Sequence, residues 1–180
     1  MEAGLFITFA ISIFVIVTAL KGVRQVPQGS KWVVQRLGKY NSSLTPGLNF
    51  IIPYVDVVAY KITTKDIVLD IPSQEVITKD NAVLITNAVA YINIISPEKA
   101  VYGVEDYVIA IQTLVQTTLR SIVGEMTLDA ALSSREHIKA SLKAAISDDI
   151  ADWGITLKTV EIQDVNPSVT MQHAMEEQAA

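Results

Sequence analysis

The chain has 180 residues, half of them apolar, a formal net charge of −5 and no cysteine. The acidic balance argues against nucleic acid as a partner, because phosphate binding needs a basic field. The lack of cysteine excludes disulfides, thiolate metal sites and a cysteine nucleophile, and the mean hydropathy of +0.35 is high for a soluble protein.

Much of that hydropathy sits in the first stretch. Ala3 to Leu20 reads AGLFITFAISIFVIVTAL, without one charged side chain, and meets Lys21 at a sharp boundary. Hydrocarbon cannot hydrogen-bond a backbone, so such a run is stable in a bilayer only as a helix. At 1.5 Å per residue it reaches about 27 Å, slightly short of a bilayer core of roughly 30 Å, and Val23 with the snorkelling stems of Lys21 and Arg24 makes up the difference. Thr8, Ser12 and Thr18 cost little, because a helical hydroxyl bonds back to the preceding turn. The reading is an N-terminal transmembrane helix over residues 3–23, with Phe6, Ile7, Phe9, Ile11, Phe14 and Val15 in contact with lipid and Lys21 and Arg24 at its edge. A buried core helix, a cleaved signal peptide and a hairpin dipping into one leaflet are the other readings. The signal peptide wants a basic n-region and a small-residue cleavage site, whereas only Glu2 is charged before the run and no A-x-A pattern follows. Lys21, Arg24, Lys31, Arg36 and Lys39 follow it with no acidic residue before Asp56. The positive-inside rule then gives a single-pass protein of the inner or plasma membrane, N-terminus outside and the rest cytoplasmic, with a basic flank drawn to anionic headgroups.

Val26-Pro27-Gln28-Gly29 reads as a turn with proline at its second position, and Lys31 to Leu37 as a short strand turned by Gly38-Lys39-Tyr40. A second Pro-Gly turn, Pro46-Gly47, enters the apolar Phe50-Ile51-Ile52-Pro53-Tyr54. That segment is either a core strand, the reading its pattern favours, or a patch bedded on the membrane; Phe50, Ile51 and Ile52 are candidate membrane contacts. Asp56 to Thr64 is rich in β-branched and aromatic residues, and so is Ile67 to Thr78, where Pro72 and Ser73 suggest an edge or a bulge. Lys79-Asp80-Asn81 breaks two such runs as a hairpin does. Val83 to Ile95 is apolar on both alternating faces, which implies a strand covered on each side.

At Ser96-Pro97 the period changes to helical, with serine as N-cap and proline at the first helical position. A short helix ends at Gly103. A longer one from Asp106 to Val123 carries Val108, Ile111, Val115, Leu119 and Ile122 at helical spacing and ends at Gly124. After a single helical turn at 127–132, Ser133-Ser134-Arg135-Glu136 reads as a capping box. It opens a helix with Ile138, Leu142, Ala145, Ile146 and Ile150 on one face, which stops near Trp153-Gly154. A last strand, Ile155 to Val165, must return to a sheet, and Asn166-Pro167 caps a further helix that is still running when the chain stops, as in a longer protein. Strands followed by helices make an α+β protein: an anchor over 3–23, a strand-rich part over 24–96, a helical part with the last strand over 97–166, and the start of a C-terminal helix over 167–180.

Chemistry-bearing constellations are scarce. His137 and His173 lie on separate helices with no second histidine one turn away, so a metal site would need carboxylates from elsewhere. Asp148, Asp149 and Asp152 read as a solvated helix end, Ser133 as a cap, and no glycine-rich phosphate loop is present. The residues therefore point away from an enzyme.

Val26-Pro27-Gln28-Gly29, Arg36-Leu37-Gly38-Lys39-Tyr40, Pro46-Gly47-Leu48-Asn49-Phe50-Ile51-Ile52-Pro53 and Val68 to Asn81 together resemble the stomatin/prohibitin (SPFH, band 7) family, closest to its bacterial QmcA and paraslipin branch. Tyr102 to Asp106, Gln116 to Ser121 and Trp153-Gly154-Ile155 extend the resemblance over roughly Val26 to Gln178. It implies a non-enzymatic membrane scaffold without a cofactor, self-associating laterally through this domain and a following coiled coil into rings or cages that organise membrane microdomains. The implied partners are the lipid bilayer, further copies of the chain, and FtsH-type membrane proteases or NfeD-type membrane proteins in protein quality control. The alternative is an adaptor that binds and tunes one membrane protease or channel without building a cage.

Overall fold

A computed structural model of the chain describes residues 2–168, with side chains from residue 6 onward. The expected C-terminal helix, His173 included, lies outside the described residues. The chain divides into two compact units, residues 1–65 and 66–180. The strand-rich and helical parts expected to meet at residue 96 are thus divided otherwise. The strands after residue 66 belong with the helices, because those strands supply the sheet on which the helices bury their apolar faces.

In the first unit, helix α1 (Glu2–Gly22) is followed by strands β1 (Val23–Val26), β2 (Ser30–Arg36), β3 (Lys39–Leu44), β4 (Gly47–Phe50) and β5 (Asp56–Thr63). β1 pairs antiparallel with β4, and β2 lies between β3 and β5 in a second antiparallel sheet. Apolar residues of three strands and of the loop after β4 make the core: Val26, Val34, Leu44 and Ile51, flanked by Trp32 and Val58. The turn after β1 closes one residue later than its sequence suggests. Ser30 N donates to Pro27 O at 3.3 Å, because Gly29 supplies the positive φ of +80° that this turn needs.

The hydroxyls of α1 behave as expected, Ser12 Oγ donating to Thr8 O at 2.8 Å and Thr18 Oγ1 to Phe14 O at 2.7 Å. The expected transmembrane span over 3–23 does not follow from the fold. Among the described residues no helix is long and apolar enough to cross a membrane, and the side chains of α1 are described only from Phe6 onward. What is established is a helix over Glu2–Gly22 whose described apolar side chains, Phe6, Phe9, Phe14 and Val15 among them, are exposed.

The second unit contains β6 (Ile67–Ile77), β7 (Val83–Ile94), α2 (Pro97–Tyr102), α3 (Tyr107–Gly124), α4 (Leu128–Ser133), α5 (Arg135–Asp152) and β8 (Ile155–Pro167). β7 is central, antiparallel to β6 and β8. The late strand therefore returns to pair with β7, as the sequence order requires. The register of β6 slips between Ile71 and Gln74, where Pro72 removes a ladder donor. α3 packs on β6, α5 on β8, and the two helices on each other. Ile111, Val115, Leu119 and Val123 of α3 and Ile138, Leu142, Ile146 and Ile150 of α5 are fully buried, a spacing of four residues that keeps one face inward.

Two expectations change here. The inward face of β7, Leu84, Ala88, Ala90, Ile92 and Ile94, is buried, whereas on the other face Val89 is buried but Val83, Ile85, Asn87, Tyr91 and Asn93 are only half-buried. The strand is covered more fully on one side, because both long helices pack on the sheet and on each other. The capping box does not form either. α4 extends through Ser133, whose hydroxyl bonds back to Asp129 O at 2.6 Å, and Ser134, in the N-cap position of α5, makes no side-chain cap bond. Asp106 is the better cap: its carboxylate accepts from Val108 N and Ile109 N.

Candidate membrane-contact surface

The C-terminal end of α1 is fastened to the loop between β4 and β5. Ile51 N donates to Gly22 O at 2.8 Å, and a side chain on Gly22 would put its Cβ 2.6 Å from Ile51 O. Only glycine permits this approach. The loop is closed from its other side by Asp56, which is buried although it carries a charge. Its carboxylate accepts from Arg36 Nε at 2.7 Å, Arg36 Nη2 at 3.0 Å and Ile52 N at 2.9 Å, and its own amide donates to Ile52 O at 2.9 Å. The two-pronged Arg36 contact is the strong form of a charge-assisted bond. The Arg36 side chain first, and the Ile52 amide second, hold the Asp56 carboxyl below its ordinary pKa.

A loop held this way fixes the direction of each side chain. Phe50 is 79% exposed and Ile52 52%, but Ile51 between them is only 8% exposed. Ile51 packs with Val26, Val34 and Leu44, so its expected membrane contact is corrected to a core position. The reason is the extended backbone, in which successive side chains leave on opposite sides. Phe50 and Ile52 are exposed, and so is Tyr54 at 71%, which lies in the turn that follows and holds an unusual φ of +70° for a bulky residue. Lys21 Nζ lies 5.7 Å from the centre of the Tyr54 ring, within cation–π range.

Between α1 and the loop runs an apolar groove of about 410 Å³, with Phe14, Val15 and Ala19 on one wall and Phe50, Ile51 and Pro53 on the other. A second hollow of about 400 Å³ is lined by Lys21 and Arg24 together with Ile51, Pro53, Tyr54 and Asp56. Ile51 and Pro53 belong to both. Every candidate contact from Phe6 to Arg24 thus lies on α1 or directly after it. Phe50 and Ile52 join that surface through the fastened loop, and Leu48, which sequence reasoning missed, adds exposed apolar area on β4 beside the exposed Val23 of β1. The signal of Leu48 was present in the sequence, but a strand of 4 residues is too short to announce a period.

No group of three or more metal-ligating side chains comes together among the described residues. Asp148, Asp149 and Asp152 are exposed along α5, His137 is exposed at its start, and the Ser133 hydroxyl donates to Asp129 O within α4.

Compared with known proteins, residues 24–180 match the SPFH domain / Band 7 family. The chain belongs to this family. It is 42% identical over 168 residues to an uncharacterised protein of Methanocaldococcus jannaschii, covering 93% of this chain and 82% of that protein. It is 40% identical over 153 residues to human "Stomatin-like protein 2, mitochondrial", covering 85% of this chain and 43% of the relative. An uncharacterised Mycobacterium tuberculosis protein is 34% identical over 176 residues, 98% of this chain and 46% of its own length. The chain thus spans less than half of the human and mycobacterial relatives. The SPFH domain begins at residue 24, immediately after α1 and Val23, so the exposed apolar helix precedes it in the chain.

Proposed function

We propose that this chain is a non-enzymatic, membrane-anchored scaffold in which α1 inserts into a bilayer and the SPFH domain associates laterally with further copies. The observation that carries the reading is the outward apolar surface of α1, continued by Phe50, Ile52 and Tyr54 and bordered by Lys21 and Arg24. Large contiguous apolar surfaces are rare on water-exposed proteins and mark binding to lipid or protein. The uncharged run of α1, Ala3 to Leu20, rises about 27 Å against the roughly 30 Å of a hydrocarbon core, and Val23 with the stems of Lys21 and Arg24 would make up the difference. The finer form of the proposal is a single pass of the inner or plasma membrane, with the basic flank holding the domain on the cytoplasmic side.

Membership in the SPFH family favours the scaffold over a hydrolase, and weak lateral contacts between anchored copies add through avidity. Through such an array the domain would organise a patch of membrane and regulate an FtsH-type protease or an NfeD-type membrane protein as its partner. Sizing the chain in a mild detergent extract of its membranes tests this reading. A large assembly of many copies is expected. A monomer or dimer overturns lateral association and favours an adaptor that tunes one membrane protease or channel.

A further inference from the structure

The groove beside α1 has a shape and chemistry beyond what an anchor needs. An anchor requires an apolar outside; it does not require a furrow of about 410 Å³ between the helix and a neighbouring loop. This furrow lies within the usual size range of small-molecule sites, roughly 300–1,000 Å³. Its lining is almost entirely apolar, and it is kept open by the close fit at Gly22 and the Ile51 N–H bond to Gly22 O. A second hollow, which shares Ile51 and Pro53 with the furrow, is lined by Lys21 and Arg24. No carboxylate pairs with either cation among the described residues. Asp56, the acidic group of that hollow, is already occupied by Arg36 and the Ile52 amide.

From this arrangement we infer that the unit holds one anionic phospholipid as a bound ligand. One acyl chain lies in the furrow between Ala19 and Pro53, and the headgroup phosphate sits at Lys21 and Arg24. The inference rests on the membrane-anchoring reading and adds to it a specific site for one class of lipid. The charge complementarity selects the occupant. An apolar furrow alone would accept any chain, whereas two cations at one end, with the local carboxylate neutralised, favour a phosphate diester carrying net negative charge over a zwitterionic headgroup. Arg24 suits a phosphate by its planar fork, and Lys21 by a mobile ammonium.

The test uses the full chain in vesicles of phosphatidylcholine and phosphatidylglycerol in equal parts. Flotation is measured first, then the protein is released in mild detergent and its retained lipid is identified by native mass spectrometry. The expected result is one phosphatidylglycerol per chain, retained in clear preference to phosphatidylcholine. Lys21→Gln with Arg24→Gln is expected to lower that retention about tenfold, and Ala19→Trp to abolish it by filling the furrow, retention being counted per chain recovered in the floated fraction. Equal retention of the two lipids, or undiminished phosphatidylglycerol on Ala19→Trp, overturns the site while leaving the anchor standing. Failure of the unaltered chain to float overturns the anchor, and the site with it.

Discussion

Between Phe50 and Tyr54 one backbone distributes adjacent apolar side chains to opposite fates, so substitutions one residue apart should have different consequences. Ile51→Asp places a charge among Val26, Val34 and Leu44, where an unpaired carboxylate has no partner and burial is severely unfavourable. Ile52→Asp places the same charge on the outside. The expected outcome is that Ile52→Asp, with or without Phe50→Asp, folds normally and weakens flotation with vesicles. Ile51→Asp is expected to lose the Trp32 signal of the folded first unit. Equal behaviour of the two variants would show that the alternation does not hold in the membrane-bound protein. In the sequence, FIIP reads only as an apolar run. The alternation became visible once Gly22 and Asp56 were seen to fix the backbone on both sides, and neither of those contacts has a local sequence signal.

Among the elements, β2 and β5 end on a charged rung. Arg36 and Asp56 are direct partners in the antiparallel register, and their ion pair closes the strand pair just where the candidate contact loop returns to the sheet. Asp56 is held below its ordinary pKa by Arg36 and then by the Ile52 amide, so the folded unit binds fewer protons than the unfolded chain in acid. Its contribution to stability is therefore complete above the unfolded carboxylate value of about 3.9 and is lost as pH falls through that value and then through the lower folded one. Asp56→Asn removes this term. Denaturation followed by Trp32 fluorescence, with Trp153→Phe to silence the second unit, should show the variant less stable at neutral pH. The gap should close as pH drops below about 4. A gap independent of pH would mean that the pair contributes through shape alone. The longer elements were legible for physical reasons. α3, α5 and β7 each repeat an apolar period over enough residues to be read, and the polar Lys79-Asp80-Asn81 marks the hairpin between two β-rich runs. β1, β3 and β4 do not, and the serine pair before α5 was misread because α4 takes in Ser133 and its hydroxyl bonds back to Asp129 O.

On the scale of the whole molecule, the proposed anchoring implies a direction, because the charge about α1 would decide which end of a crossing helix stays in the cytoplasm. Lys21 and Arg24 lie at the end of the helix that leads into the SPFH domain, and the other end carries only Glu2. Moving the basic end across hydrocarbon costs more than leaving it in the cytoplasm, so a crossing helix would leave residue 3 outside. The sequence has no cysteine, which makes a single introduced thiol an unambiguous reporter of sidedness. Ala3→Cys in intact cells is expected to react with a membrane-impermeant maleimide, whereas Ser43→Cys on β3 is expected to react only after the membrane is opened. Labelling of both positions only after opening would leave α1 seated in one leaflet. The domain would then keep the same face of the membrane and the lipid furrow its place at the interface, and the N-terminus alone would change sides.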